Sequence, residues 1–227
     1  ANFRFVAPYI KKADIAVANL EVTLAGPPFS GYPQFCAPDE LAEALKGAGF
    51  EYIITANNHS CDKGKTGVER TIDVLKKNGF TYTGTFKTQR DRDTSYPLII
   101  KKNGFTVALL NYTYGTNGLP VPPPTIVNLL DTTIIKADIE KAKKVDPDLI
   151  VVTTHWGYEY HRLPNAEQKL LTQWLYERGA DMVIGAHPQH IIPPDRLPAR
   201  HILHALLHAT APQRVVGIVA VNRAEFG

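Results

Sequence analysis

The chain has 227 residues, 44% hydrophobic and 21% charged, with a net charge of +3. That balance excludes a disordered or collagen-like polymer, and with no Lys/Arg block it leaves no electrostatic footprint for nucleic acid. The two cysteines, Cys36 and Cys61, are too few for a disulfide framework or a Cys-rich metal site, and a single bridge between them stays open. No apolar run approaches the ~20 residues of a membrane-spanning helix. With neither a signal-peptide pattern nor an opening Met, the sequence reads as a piece of a longer product.

In chain order, residues 14–18 are the first short Val- and Ala-rich run, read as a buried strand. Residues 38–48 follow as a helix, with Pro38 in its first turn, Leu41, Ala44, Leu45 and Ala48 on one face, and Gly49 at its end. A strand is expected over 51–55. A helix is expected over 66–78, stopping at Gly79. Residues 81–83 and 97–102 read as additional strands, and 90–95 as a polar turn. A strand over 105–110 leads into 112–124, a Gly-, Asn- and Pro-rich loop long enough to be functional. A helix over 133–144, a strand over 148–153, a helix over 165–178 and a strand over 181–185 complete the alternation. The second of these helices opens on Asn165 with Gln168 three residues on, a capping-box pattern. Near the end, His201, His204 and His208 share one helical pattern, read as the wet face of an amphipathic helix. Residues 215–221 read as a terminal strand. Strands alternating with helices predict an α/β layered domain with a mostly parallel sheet. The chain is read as one domain over 1–227, with an atypical tail over 195–227.

Four polar clusters directly follow four of the strands. They are Asn19-Leu20-Glu21; Asn57-Asn58-His59 with Asp62; His155-Trp156-Gly157 with Glu159; and His187-Pro188-Gln189-His190. The carboxyl ends of parallel strands share one edge, where open α/β folds bind ligands. A carboxylate, amide oxygens and imidazoles together suit Mn, Fe or Zn. One or two such divalent ions would polarise a phosphoryl or carbonyl oxygen and activate a water. His59, oriented by Asp62, is the candidate proton donor. Asn19, Asn57, Glu159, Arg162 and His190 are candidate substrate contacts. Each cluster has a plainer reading. A single strand-end His is commonly a structural hydrogen-bonder, Asn57-Asn58 suits a turn, and Glu21 suits a cap. The shared edge favours a functional site.

The segments NLE (19–21), ANNHSCDKGKTGVERTIDVLKKNGF (56–80), THWGYEY (154–160) and GAHPQH (185–190) resemble the bacterial capsule biosynthesis CapA family. This is the poly-γ-glutamate capsule domain, related to calcineurin-like metallophosphatases. The resemblance implies a layered metallophosphatase-like α/β sandwich with mostly parallel sheets and flanking helices. It implies a site for one or two metals, with Glu21, Asn58, His155 and His187 as ligands and His59 as catalytic acid. Two departures stand out. The family's Gly-Asp strand, expected before Asp14, is not in this sequence. Gln189 stands where the family has the second His of His-Pro-His, and offers a weaker amide ligand. The family's Ser-Leu-Gly-Asn-Phe segment is also absent. The expected role is capsule biosynthesis through a metal-dependent hydrolase or phosphoesterase-like site, the alternative a non-catalytic assembly or polymer-handling component. Partners would be the anionic capsule polymer or a phosphoester substrate, and other capsule-synthesis membrane proteins. The expected location is outside the cytoplasmic membrane, anchored by a segment beyond this sequence.

Overall fold

The computed structural model describes residues 3–158, 163–187, 204–205 and 215–221. In chain order the elements are α1 (Ala7–Ile10), β1 (Ile15–Leu20), α2 (Glu40–Ala48), β2 (Tyr52–Ile54), α3 (Gly64–Lys77), β3 (Thr81–Thr83), β4 (Thr85–Phe86), α4 (Gln89–Ser95), β5 (Leu98–Lys102) and β6 (Phe105–Thr113). They continue with β7 (Ile126–Val127), α5 (Thr132–Lys143), β8 (Leu149–His155), α6 (Ala166–Arg178), β9 (Met182–Ala186), β10 (His204–Ala205) and β11 (Val215–Val221). The mixed α/β architecture expected from the alternation is present. The strands divide between two main sheets, as the sandwich implied by the resemblance requires, where the alternation alone suggested a single sheet. The first has the order β10-β11-β1-β2-β3 and the second β5-β6-β8-β9. In the first sheet β1, β2 and β3 run parallel and β11 returns antiparallel to β1. In the second, β6, β8 and β9 run parallel and β5 is antiparallel.

Alternation along each strand explains the layering. A strand's side chains point to opposite faces with period two, and here both faces are apolar. In β1, Ala16, Ala18 and Leu20 pack with Leu41, Leu45 and Leu75 of α2 and α3. The intervening Ile15 and Val17 pack with Val107, Leu109, Leu149 and Val151 of the second sheet. The other faces of β6 and β8, through Ala108, Leu110, Ile150 and Val152, meet Ile135, Ile139 and Leu175 of α5 and α6. The result is helix, sheet, sheet, helix. Burying one side chain such as Leu109 or Val151 contributes about 1.5–3 kcal/mol, so the inter-sheet layer is a major source of stability.

Local signals set the helix ends. Asn165 and Gln168 form the reciprocal capping box, satisfying two of the N–H groups that a helix start leaves unpaired. Asp131 caps α5 by accepting from the N–H groups of Thr133 and Ile134. Gly49 ends α2 at φ +111°, where a Cβ would meet Lys11 Cγ at 2.8 Å.

Three sequence expectations are corrected. Residues 90–95 are helical, within α4, capped by the Thr88 side chain accepting from Asp91 N. No residue of α4 is buried, so no apolar period betrayed it. Strand β6 runs on through Thr113, where pairing with β8 continues to Thr113↔His155, so the expected loop starts at Tyr114. The helical pattern around His204 gives way to β10, paired antiparallel with β11; His201 and His208 lie outside the described residues. Cys36 and Cys61 are both free and buried.

Candidate metal centre

The carboxyl ends of β1, β2, β6, β8 and β9, drawn from both sheets, converge at one end of the sandwich. Glu21 follows β1 and is 2% exposed, and His155 closes β8 at 1% exposed. His187 directly follows β9. The His155 Nε2 lies 3.5 Å from Glu21 Oε1 and 3.1 Å from His187 Nδ1. One ligand atom from each of the three lies within 4.8 Å of the others. Ligands held about 2.1 Å from one transition-metal ion stand about 3.0–3.4 Å apart in octahedral or tetrahedral geometry. The donor set, one carboxylate oxygen and two imidazole nitrogens, is chemically that of a Mn, Fe or Zn site. His187 adopts φ +91°, a left-handed conformation costing a non-glycine residue about 1–3 kcal/mol. Such strain is typical of positions where a side chain must be presented in one direction.

The loop after β2 supplies the next group. Asn57 is fully buried and its amide is committed internally. Its Nδ2 donates to Leu20 O at 2.8 Å, Thr55 O at 3.2 Å and Asn19 Oδ1 at 3.3 Å. Its Oδ1 accepts from His59 N at 3.0 Å. Asn19 Nδ2 in turn donates to Glu21 Oε2 at 3.3 Å. Asn19 and Asn57 therefore tie the ends of β1 and β2 together and orient Glu21, and their amides face protein groups. Asn58 donates through Nδ2 to Asn117 Oδ1 at 3.2 Å. Its Oδ1 is buried and has no hydrogen-bond partner among the described residues. A buried amide oxygen without a donor is costly, and a cation is the kind of partner it fits.

His59 stands 2.7 Å from Asp62, Nδ1 to Oδ2, both residues being buried. A carboxylate only accepts, so Nδ1–H is the donor and Nε2 is the nitrogen left for proton exchange. The same Asp62 oxygen accepts from Phe35 N at 2.6 Å, and the Phe35 ring meets the imidazole edge-on, 4.6 Å between centroids. The ring of His59 is thereby fixed from two directions.

Of the other residues singled out in the sequence, Glu159, Arg162, Gln189 and His190 lie outside the described residues. Two residues not singled out belong to the site. The Tyr114 ring lies parallel to His155, with centroids 6.4 Å apart, and 5.2 Å from His187. Its hydroxyl donates to Asn117 Oδ1 at 3.3 Å. The signal in the sequence is Asn117-Gly118, an Asn-Gly turn inside the long loop. Beside the histidines a cavity of about 350 Å3 opens, lined in part by Tyr114, Trp156, Tyr158, Gln168 and His187.

Known proteins are similar to this chain over most of its length. The family model for bacterial capsule synthesis protein PGA_cap matches residues 1–206. The capsule biosynthesis protein CapA of Bacillus anthracis is 31% identical over 204 residues, covering 84% of this chain and 48% of that protein. The PGA biosynthesis protein CapA of Bacillus subtilis (strain 168) is 30% identical over 202 residues, covering 85% of this chain and 51% of that protein. The chain thus spans about half the length of these curated relatives. A family match over residues 1–206, together with relatives 30–31% identical over more than four fifths of the chain, places it in the bacterial capsule synthesis protein PGA_cap family.

Proposed function

We propose that this chain acts in capsule biosynthesis of the poly-γ-glutamate type through a divalent-metal site of hydrolase or phosphoesterase character. The observation that carries the metal reading is the convergence of Glu21, His155 and His187 within 4.8 Å. Family membership and the CapA names of the relatives support the capsule role. Glu21, His155 and His187 would hold the ion, with the Asn58 amide oxygen as a further ligand. When bound, such an ion supplies Lewis-acid polarisation of a phosphoryl or carbonyl oxygen. The chain's own residues supply the rest. Asp62 holds the His59 ring so that Nε2 can pass a proton to a leaving oxygen or nitrogen. Tyr114 and Trp156 wall the cavity beside the histidines, where a substrate segment would lie.

Work on an anionic polymer outside the cytoplasmic membrane, alongside capsule-synthesis membrane proteins, belongs to this reading and rests on family membership. Among the described residues no helix is long and apolar enough to cross a membrane.

A second reading, a capsule-assembly component without catalysis, is favoured by Gln189, which stands where the resembled motif carries a histidine. His59→Ala and Asp62→Asn separate the two. Catalysis requires both variants to fold, retain metal and lose capsule formation in cells. If capsule forms normally with His59→Ala, the catalytic reading fails and the assembly reading stands. For the metal itself, elemental analysis of protein purified from metal-supplemented culture should give a near-stoichiometric transition metal. Its absence there removes the metal site.

A further inference from the structure

We infer that Asn117 is a positioning residue which fixes the amide orientation of Asn58, and with it the oxygen presented to the metal centre. The inference rests on the metal reading of Glu21, His155 and His187.

Asn58 has one amide with two chemically opposite ends. Its Nδ2 donates to Asn117 Oδ1 at 3.2 Å, and its Oδ1 is the buried oxygen without a hydrogen-bond partner among the described residues. A rotation of the amide by half a turn would bring two oxygens together at Asn117 and put N–H groups where the buried, unpartnered oxygen now lies. Only the observed orientation offers an oxygen to a cation, because the NH2 end of an amide is a donor and no ligand. Asn117 Oδ1 is itself fixed by a second donor, the Tyr114 hydroxyl at 3.3 Å. The Tyr114 ring in turn lies against His155 and His187. One short segment, 114–117, therefore touches three of the candidate ligands.

The backbone of that segment is built to hold this position. Asn117 and Gly118 both have positive φ, +52° and +75°, and Leu119 N donates to Thr116 O at 2.9 Å. Positive φ at both central residues is the type I′ turn, whose preferred pair is Asn-Gly. Asn at this position meets two demands at once, the left-handed backbone and the carboxamide acceptor. Glycine meets only the first and aspartate meets both.

The test is titration of the metal-stripped chain with Co2+, read by visible absorbance, together with thermal unfolding of the metal-free protein. Asn117→Gly keeps the turn and removes the acceptor. It should weaken Co2+ binding about tenfold, the lower end of the effect of partners that orient metal ligands. Metal-free unfolding should stay within about 2 °C of the parent. Asn117→Asp should restore binding to the parental level or tighter. In an Asn58→Ala background, Asn117→Gly should have no further effect, because its influence runs through Asn58. Co2+ affinity within twofold of the parent for Asn117→Gly overturns the inference, as does a full Asn117→Gly effect that persists in Asn58→Ala. In both cases the metal reading survives. A parent chain that binds no Co2+ overturns the metal reading and this inference with it.

Discussion

Asn111, on β6 of the second sheet, accepts a hydrogen bond through Oδ1 from the backbone N–H of Ala56 at 2.8 Å. Ala56 follows β2 of the first sheet and immediately precedes Asn57, Asn58 and His59. This bond passes the surface of Gly84, where a Cβ would stand 2.1 Å from Asn111 Oδ1 and 2.5 Å from Ala56 N. Gly84 also has φ +111°. Gly84→Ala is expected to cost at least about 3 kcal/mol through overlap and backbone strain. The melting temperature should fall by about 6–12 °C. Gly47, in α2 with open space at its Cβ position, is the contrast: Gly47→Ala should stabilise by about 0.5–1 kcal/mol. Parallel thermal melts of the two variants check both.

Ion binding at Glu21, His155 and His187 should appear as thermal stabilisation. A ligand that binds only the folded state at about 100 times its Kd adds about 2.7 kcal/mol. For a chain of this size that is a rise of about 5–11 °C. Chelator-treated protein should show this rise on adding Mn2+ or Zn2+. Glu21→Gln and His187→Ala should melt at nearly the same temperature with or without metal.

Away from the site, Arg92 donates to Asp138 at 2.6 and 3.3 Å, and Tyr112 OH donates to the same carboxylate at 2.9 Å. Burial raises the Tyr112 hydroxyl well above its ordinary range, reinforced by the neighbouring Tyr96 and Asp138, so it is a proton donor at every physiological pH. Asp138→Ala leaves the largely buried guanidinium of Arg92 uncompensated, and such a broken pair costs about 3–5 kcal/mol. Chemical denaturation should show that loss. The double change Arg92→Met with Asp138→Leu should recover most of it, since apolar replacement of a buried pair is frequently neutral.

Alkaline stability has a definite sign. Burial pushes the Cys61 thiol from 9.0 up to about 11, helped by the neighbouring Asp62. Between those values the unfolded chain is a thiolate while the folded chain keeps its proton. Unfolding therefore releases a proton, and stability falls as pH rises through that window. The denaturant midpoint should decline from about pH 9 upward, and Cys61→Ala should decline less steeply than the parent. For the same reason iodoacetamide should label Cys61 slowly in the native protein at neutral pH.

Much of this was legible in advance because strand-end position is a sequence property. Residues 81–83 and 215–221 are strands with the bounds the sequence implied, and the segments holding Glu21, His155 and His187 follow apolar runs that could only be buried. The division into two sheets was implied by the family resemblance but was not legible in the strand pattern itself. Strands buried on both faces read alike whichever sheet they join, so periodicity carries no sheet label. Helix α4 escaped because it contributes no apolar residue to the core, although Thr88 and Asp91 are a Thr-x-x-Asp start signal. Strands β4 and β7, of two residues each, are shorter than any period. Tyr114 and Asn117 escaped for another reason: their role depends on where a loop returns in space.

The candidate metal donors are shared between two sheets, Glu21 following β1 of one and His155 and His187 at the ends of β8 and β9 of the other. Donor separation is therefore a caliper on how those sheets sit against each other. A methyl group removed from the layer between them, for instance at Val151, lies on neither the ligands nor their hydrogen-bond partners. On the metal reading it should still register as weaker ion binding, because a shift of one sheet on the other changes the donor separation. On the metal reading, ion affinity would in this sense be a readout of the chain's own interior packing.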